Sequence, residues 1–501
     1  MPGVAPRAAA AQSASPYLPL GHWATPYIEH LITRGAVVDP SPLGRPWRQA
    51  DILRALAAAD TLRLTAGERR VVGEIVADLT PHEAGPWGRA DGDLRASVAS
   101  NALRDPLEQG RGVPARDGGP TRGYLTGSLA LQARFGPVVA VSHPRFDTRL
   151  RYDPDYAGKK DRFIAGRTDE AYLSAQWRYG EFFFGSLDRN WGPAALDGLL
   201  ISPSPYSYDH FGITLGTPGL HLEGLITQLD DLRDTTGTPN HRYLVAHRLV
   251  LHPPGRTSVA LWEGDILAGP GRELEPWYAN ILTLGLLQEY NQSSATNSLL
   301  GADVVTGLGG VTVFGSLLID DFQIDHSTDS LSGNNEPPSY GITLGAQGGA
   351  GSIGWTAFYT RVANLTYRTP DPAEAVTRQG VGLARNASDY DQLTLRGSVL
   401  TGPGVLLAPE VTLVRQGQGD FRLPYPAVAQ YFKTPTFLAG VAQRTLRLAL
   451  GARIDRPGWA LDANAGVHFF HDVGHVTGAT LTRFVGQLGL TWRFHRASVL
   501  P

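Results

Sequence analysis

The chain has 501 residues, 42% of them hydrophobic, with 59 glycines and 36 prolines; that apolar content excludes a disordered chain, and without a three-residue glycine period it is not collagen. Charged residues make up 18%, the net charge is −3 and the only lysines are Lys159, Lys160 and Lys433, so nothing points to a nucleic-acid partner. Cysteine is absent, which removes disulfides, thiolate metal sites and cysteine nucleophiles.

Residues 1–16 carry small residues (Ala8–Ala11, Ser13, Ala14) without a full apolar stretch, and read as a signal-peptide remnant or a disordered tail. From residue 17 to about 107 the pattern is helical. Thr25-Pro26 reads as an N-cap with proline in the first turn, Ile28, Leu31 and Ile32 share a face, and Gly35 ends the segment. A second helix is expected from Trp47 to Ala59. A third opens with the capping box Thr65-x-x-Glu68 and continues through Val72, Ile75, Val76 and Leu79. These helices are short, so their stripes must be buried together or against another unit. Residues 108–120, rich in glycine and proline, read as a linker.

From 121 to 496 the period is two. Leu125, Gly127, Leu129, Leu131 and Ala133 oppose Thr126, Ser128, Ala130, Gln132 and Arg134; Leu446, Leu448 and Leu450 oppose Thr445, Arg447 and Ala449; Phe484, Leu488, Trp492 and Phe494 oppose Arg483, Gln487, Thr491 and Arg493. Alternation alone fits a soluble sandwich or a membrane barrel. Strands of ten or more residues, arginine on the polar face, and Trp177, Trp459, Trp492 and Phe494 near strand ends favour an antiparallel transmembrane β-barrel of about 18 strands.

Four blocks are similar to the Wzi capsule assembly family: Tyr179 to Pro193 (YGEFFFGSLDRNWGP), Trp262-Glu263 through Gly269-Pro270-Gly271, Leu317 to Gln323 (LLIDDFQ), and Tyr359 to Tyr367 (YTRVANLTY). The resemblance implies an outer-membrane barrel of about eighteen strands with a helical bundle at its periplasmic end. It implies the role of a surface lectin that holds capsular or extracellular polysaccharide. One departure is that Phe494 is followed by His495 to Pro501, where outer-membrane strands commonly end on an aromatic residue.

The sequence contains no HExxH, GxSxG, SxxK or P-loop pattern, and His241, His247 and His252 share no helical face, so neither a catalytic signature nor a metal or other cofactor site is expected. The acidic stretch from Asp320 and Asp321 into the 320–338 loop lacks EF-hand spacing. The most informative constellation is Asp188, Arg189 and Trp191, because an indole face stacks on sugar C–H surfaces while carboxylate and guanidinium bond hydroxyls. The competing reading joins Asp188 and Arg189 with Glu263, Asp320, Asp321 and Arg361 in a charge network inside the lumen, since inward charges need partners. The expectation is therefore a monomeric, non-catalytic outer-membrane protein that meets lipid and polysaccharide. The alternative is a pore for oligosaccharides or small solutes, with an outer-membrane hydrolase third.

Overall fold

The computed structural model describes residues 14–80, 85–108, 116, 118–193, 196–292, 296–321, 336–402 and 404–499. The signal-peptide expectation for residues 1–13 and the acidic loop 322–335 lie outside them. Three helices, α1 (Thr25–Thr33), α2 (Gln49–Ala57) and α3 (Ala66–Leu79), precede eighteen long strands. In chain order these are β1 (Trp87–Ala99), β2 (Arg122–Phe135), β3 (Val138–Asp147), β4 (Ala165–Trp177), β5 (Gly180–Ser186), β6 (Asp209–Thr217), β7 (Leu220–Gln228), β8 (Pro239–Leu251) and β9 (Thr257–Pro270). They continue with β10 (Thr296–Leu308), β11 (Val311–Asp321), β12 (Ser339–Ala350), β13 (Ile353–Val362), β14 (Tyr390–Leu400), β15 (Val405–Gln416), β16 (Gln443–Arg456), β17 (Trp459–His471) and β18 (Thr480–Val499). Every strand pairs antiparallel with its sequence neighbours and β18 pairs with β1, so the sheet closes into an eighteen-stranded barrel.

The expected boundary at 107 is corrected: the helical part ends at Leu79, and residues 87–99 are the first barrel strand. Its outward positions are Gly88, Ala90, Gly92, Leu94, Ala96 and Val98, too small to make an obvious apolar stripe, while Arg89, Asp91, Asp93 and Arg95 face inward. Gly92 is small for a reason, because a Cβ there would lie 2.8 Å from the Phe494 ring of the paired strand. The tail after Phe494 continues the same strand, with Val499 opposite Trp87.

Connections alternate in length. Turns such as 136–137, 178–179, 218–219, 309–310, 351–352 and 457–458 mark one rim, and loops such as 100–121, 187–208, 271–295, 363–389 and 417–442 mark the other. The tryptophans Trp177, Trp459 and Trp492 face outward at the short-turn rim, and aliphatic residues such as Leu125, Leu395 and Leu450 cover the outer wall above it.

The head sits on the short-turn rim. The capping box at Thr65 and Glu68 forms as expected, whereas the α1 cap is Ala24 and Thr25 Oγ1 turns away to donate to the Pro19 carbonyl. The shared stripe packs Ile28, Leu31, Ile52, Leu56, Val71 and Ile75 with Leu400 and Leu406 of the barrel. Tyr27 donates to the Gly404 carbonyl at 3.3 Å, and His30 Nδ1 meets Ser398 Oγ at 2.8 Å.

Loop 271–295 leaves the long-loop rim and folds down the outside of the wall. It carries α4 (Pro276–Ala279) and α5 (Gly285–Gln292). Tyr278 is buried against outward Val245 and Leu267, Ile281 sits on Gly224, and Trp277, Leu282, Leu284 and Leu287 point away from the barrel.

Candidate functional site

Loops 100–121, 187–208 and 363–389 enter the lumen. Leu199, Leu200, Ile201, Tyr367, Leu383 and Ala387 from two of them form one apolar core with inward Leu244, Trp262, Ile266, Leu299, Leu318 and Tyr390 of the wall. Wall glycines admit this plug, since a Cβ on Gly264 would lie 2.4 Å from Leu200 Cδ1. On the opposite side Arg447 donates to the Leu107 carbonyl of the first loop at 3.0 Å. In one sector the inward polar groups at mid-strand are buried, with Arg447 1% exposed, His468 2%, Glu410 3% and Thr412 0%, while Arg95 and Asp462 in the next are partly exposed. Their charges are paired, Arg447 with Glu410 at 3.4 Å, Arg95 with Asp462 at 2.8 Å, and Arg493 with Asp455 at 2.6 Å.

The seven candidate residues do not form one site. Arg189 and Trp191 lie together near the short-turn rim, where Asn190-Trp191 pairs with Gly44-Arg45 of the head. Trp191 is 5% exposed and its ring is already stacked by the Arg248 guanidinium at 4.6 Å, so it is corrected from an open sugar platform to a buried brace. The Arg189 guanidinium stacks on Phe183 at 4.4 Å and Tyr17 at 5.0 Å, and its Nε donates to His210 at 3.0 Å. Asp188 is half-buried on another side of the same loop, within electrostatic reach of Glu170 and Tyr208. Asp320 faces inward and accepts the Tyr367 N–H at 2.6 Å, and Tyr367 donates in turn to the Leu199 carbonyl at 2.7 Å, which ties two plug loops to the wall.

Glu263 and Arg361 are corrected from the lumen to the outer wall, because each alternates with an inward neighbour, Trp262 beside Glu263 and Thr360 beside Arg361, whereas Asp321 follows a β-bulge at the end of β11 and lies opposite buried Ser339. Arg361 lies on Phe437 at 3.8 Å near the long-loop rim. Glu263 accepts the Gly285 N–H of the outer flap at 2.8 Å and meets His247 Nδ1 at 3.3 Å. Asp265 beside it accepts from Ser298 Oγ at 2.6 Å. Among the described residues, no group of three or more histidines and carboxylates is arranged to hold a metal ion.

Three features escaped the sequence reading. The first is a cavity of about 940 Å³ between the head and the short-turn rim, lined by Tyr17, Arg48, Glu181, Arg189, Trp191, Glu223 and Arg248 among others. Arg48 pairs with Glu181 at 2.7 Å there, and burial followed by the Glu181 charge pushes the Tyr17 phenol up. The second is the latch Asp389, a left-handed residue (φ 56°) whose carboxylate accepts from the N–H groups of Gly419, Leu438 and Ala439 at 2.6–2.9 Å, joining loop 363–389 to loop 417–442. The third is the surface of the long loops, where Phe163 (70% exposed) follows Lys159 and Lys160 in loop 148–164, Phe432 (77%) precedes Lys433 in loop 417–442, and Arg122 and Arg151 stack on Tyr152. The first two are assembled by contacts between residues far apart in sequence, such as Arg48 with Glu181 and Asp389 with Ala439.

No family model matches the sequence, and no curated protein matches it. Solved structures do match. Wzi, an outer-membrane protein involved in group 1 capsule assembly in Escherichia coli and described as a carbohydrate-binding β-barrel, aligns over 95% of this chain and 97% of its own at 14% identity and a TM-score of 0.61. The outer-membrane protein opdK of Pseudomonas aeruginosa aligns over 82% of this chain and 99% of its own at 12% identity and a TM-score of 0.46. OprD of Pseudomonas aeruginosa covers 83% of this chain and 96% of its own at 10% identity and a TM-score of 0.44. The resemblance read from the four sequence blocks therefore holds at the level of fold: the chain is an eighteen-stranded outer-membrane-type barrel built like Wzi, with helices at its N-terminus.

Proposed function

We propose that the protein is a closed outer-membrane barrel that holds an extracellular polysaccharide at the cell surface without cleaving it. The observation that supports this reading is the inward packing: loops folded into the lumen and paired inward charges leave Thr412, Arg447, His468 and Glu410 at 0–3% exposure. A solute pore needs a continuous water-filled lumen, and the inward loops and buried groups across this one support a plugged barrel instead. In the orientation usual for such barrels, short turns and the head face the periplasm, long loops face outward, and the aliphatic wall meets lipid. The protein then acts as a monomer whose long-loop surface is its working face.

That surface has the chemistry a glycan needs. Phe163 and Phe432 offer exposed rings for C–H stacking, and the lysines and arginines around them donate to hydroxyls and carboxylates. Asp389 holds the loop that presents Phe432, so the surface is fixed from within. The carbohydrate binding described for Wzi supports the same class of ligand. Two measurements test the reading. In planar bilayers the purified protein should show no stable conductance steps, and open-channel steps would return the pore reading. Phe163→Ser with Phe432→Ser should release polysaccharide into the medium at unchanged folded yield, and normal retention per folded molecule would refute the assignment of this face.

A further inference from the structure

We infer that the cleft between the head and the short-turn rim is a second binding site, which takes an acidic oligosaccharide. It lies at the opposite end from the surface proposed above and stands independently of that reading. The cleft is walled by head residues 35–48 and by the β6–β7 and β8–β9 turns, with Arg189 and Trp191 on its floor. At about 940 Å³ it lies at the upper end of the roughly 300–1,000 Å³ typical of small-molecule sites, far more than one phosphate or carboxylate group requires.

Its charge is the decisive feature. The lining carboxylates are already neutralised in pairs: Asp39 with Arg45 at 2.7 Å, Asp51 with Arg54, Asp60 with Arg63 at 3.5 Å, Glu181 with Arg48 at 2.7 Å and Glu223 with Arg248 at 2.6 Å. Three further lining arginines, Arg178, Arg189 and Arg256, have no carboxylate within ion-pair distance among the described residues. The cleft thus carries positive charge in excess of its own acids. Two of the three lie over rings, Arg189 over Phe183 at 4.4 Å and Arg178 over Tyr179 at 5.0 Å, which restricts the guanidinium before any ligand arrives. A planar fork of donors matches a carboxylate with two parallel hydrogen bonds.

The shape narrows the class. The rings of Tyr17, Trp47 and Trp191 in the lining are buried and each lies under an arginine, so a ligand meets guanidinium groups and turn backbone; an acyl chain gains little from such a lining, whereas a sugar ring presents hydroxyls and carboxylates to it. Several rings with carboxylates spaced along them fit this lining better than a compact anion does. Because the lumen beyond is filled, the ligand is held at this rim and does not pass through.

The test uses the full chain in detergent, titrated with tetragalacturonate, with neutral maltotetraose and with inorganic pyrophosphate, and read by calorimetry. Tetragalacturonate should bind saturably and at least tenfold more tightly than maltotetraose. Arg256→Gln and Arg178→Gln stand on exposed turns and should fold normally; each should weaken binding several-fold, Arg189→Gln at least tenfold, and Arg189→Lys less than Arg189→Gln. The Phe163→Ser, Phe432→Ser double variant should keep the binding that Arg189→Gln weakens, which separates this site from the outer face. Equal affinity for maltotetraose, equal or tighter affinity for pyrophosphate, or unchanged binding in both Arg256→Gln and Arg178→Gln would overturn the inference.

Discussion

The contact between Leu200 and Gly264 offers a direct test of how the lumen is filled. Leu200 is 1% exposed, and its methyl groups occupy the space a side chain on Gly264 would need, 2.4 Å from the ideal Cβ position. Leu200→Ala removes three buried carbons and should cost about 2–5 kcal/mol, depending on how far the plug collapses. Gly264→Ala should cost about 1–3 kcal/mol by overpacking, since the new methyl meets Leu200 at an impossible distance. The double variant places the new methyl in the vacated space, so its loss should be smaller than the sum of the two by about 1 kcal/mol or more. Urea unfolding in lipid vesicles, followed by the heat-modifiable gel shift, gives the four stabilities of the cycle, and bilayer recordings report whether the plug loosens. Additive losses, or a double variant worse than either single one, would mean that Leu200 does not fill the hollow at Gly264 and that the packing argument for a plugged lumen is wrong.

Acid should loosen the head. Burial, aided by Arg89 and Arg493 and opposed by Asp78, holds His22 down at about 4, against about 6.5 in an unfolded chain. Burial raises the Glu68 carboxyl, but hydrogen bonds from His30 and Thr65 and the Arg34 charge outweigh it and hold the group below the usual carboxylate range. Both groups bind more protons when unfolded, so their stabilisation is complete above about pH 6.5 and is lost as pH falls toward 4 and below; limited proteolysis of residues 17–80 should accelerate over that window while the barrel stays resistant. On the outer wall, Leu488→Arg should cost about 2–4 kcal/mol in lipid-vesicle unfolding, and a cost below 1 kcal/mol would place Leu488 out of the apolar layer. Thr445, on the inward face of β16, is 4% exposed, so an arginine there should also disrupt folding, by overpacking. Gly285→Ala should lift the outer flap, because its Cβ would fall 2.2 Å from the Asp265 carboxylate; faster protease cleavage within 271–292 is the readout, and unchanged cleavage would contradict the docking described.

The barrel was legible because period-two alternation is local: each residue's face is decided by its immediate neighbours, as at Leu446 to Leu450. The first strand escaped because glycine and alanine interrupt its outward face, and at Gly92 the need for smallness comes from Phe494, about 400 residues away along the chain. The site was legible only in part. Arg189 and Trp191 do sit at a lined cavity, but burial of Trp191 depends on Arg248 and on the head, and no local pattern reports either. Parity places Glu263 and Arg361 on the outer wall, yet reading them as lumen groups followed from the rule that charges avoid lipid. That rule holds here too, satisfied by a loop whose path the sequence does not disclose.

That flap constrains the order in which the wall can be made. Glu263 and Asp265 lie near the middle of β9 and point outward, so β8, β9 and β10 by themselves present two carboxylates to the apolar layer. Stripped of cover, each would cost several kilocalories per mole or have to take up a proton. Gly285, which caps Glu263, arrives from the connection between β9 and β10, and Ser298, which caps Asp265, from β10 itself, which places cover and charge in a single hairpin. This sector therefore has to enter the membrane with its loop already folded against it, as one prefabricated panel, while the remaining strands can zip in one at a time.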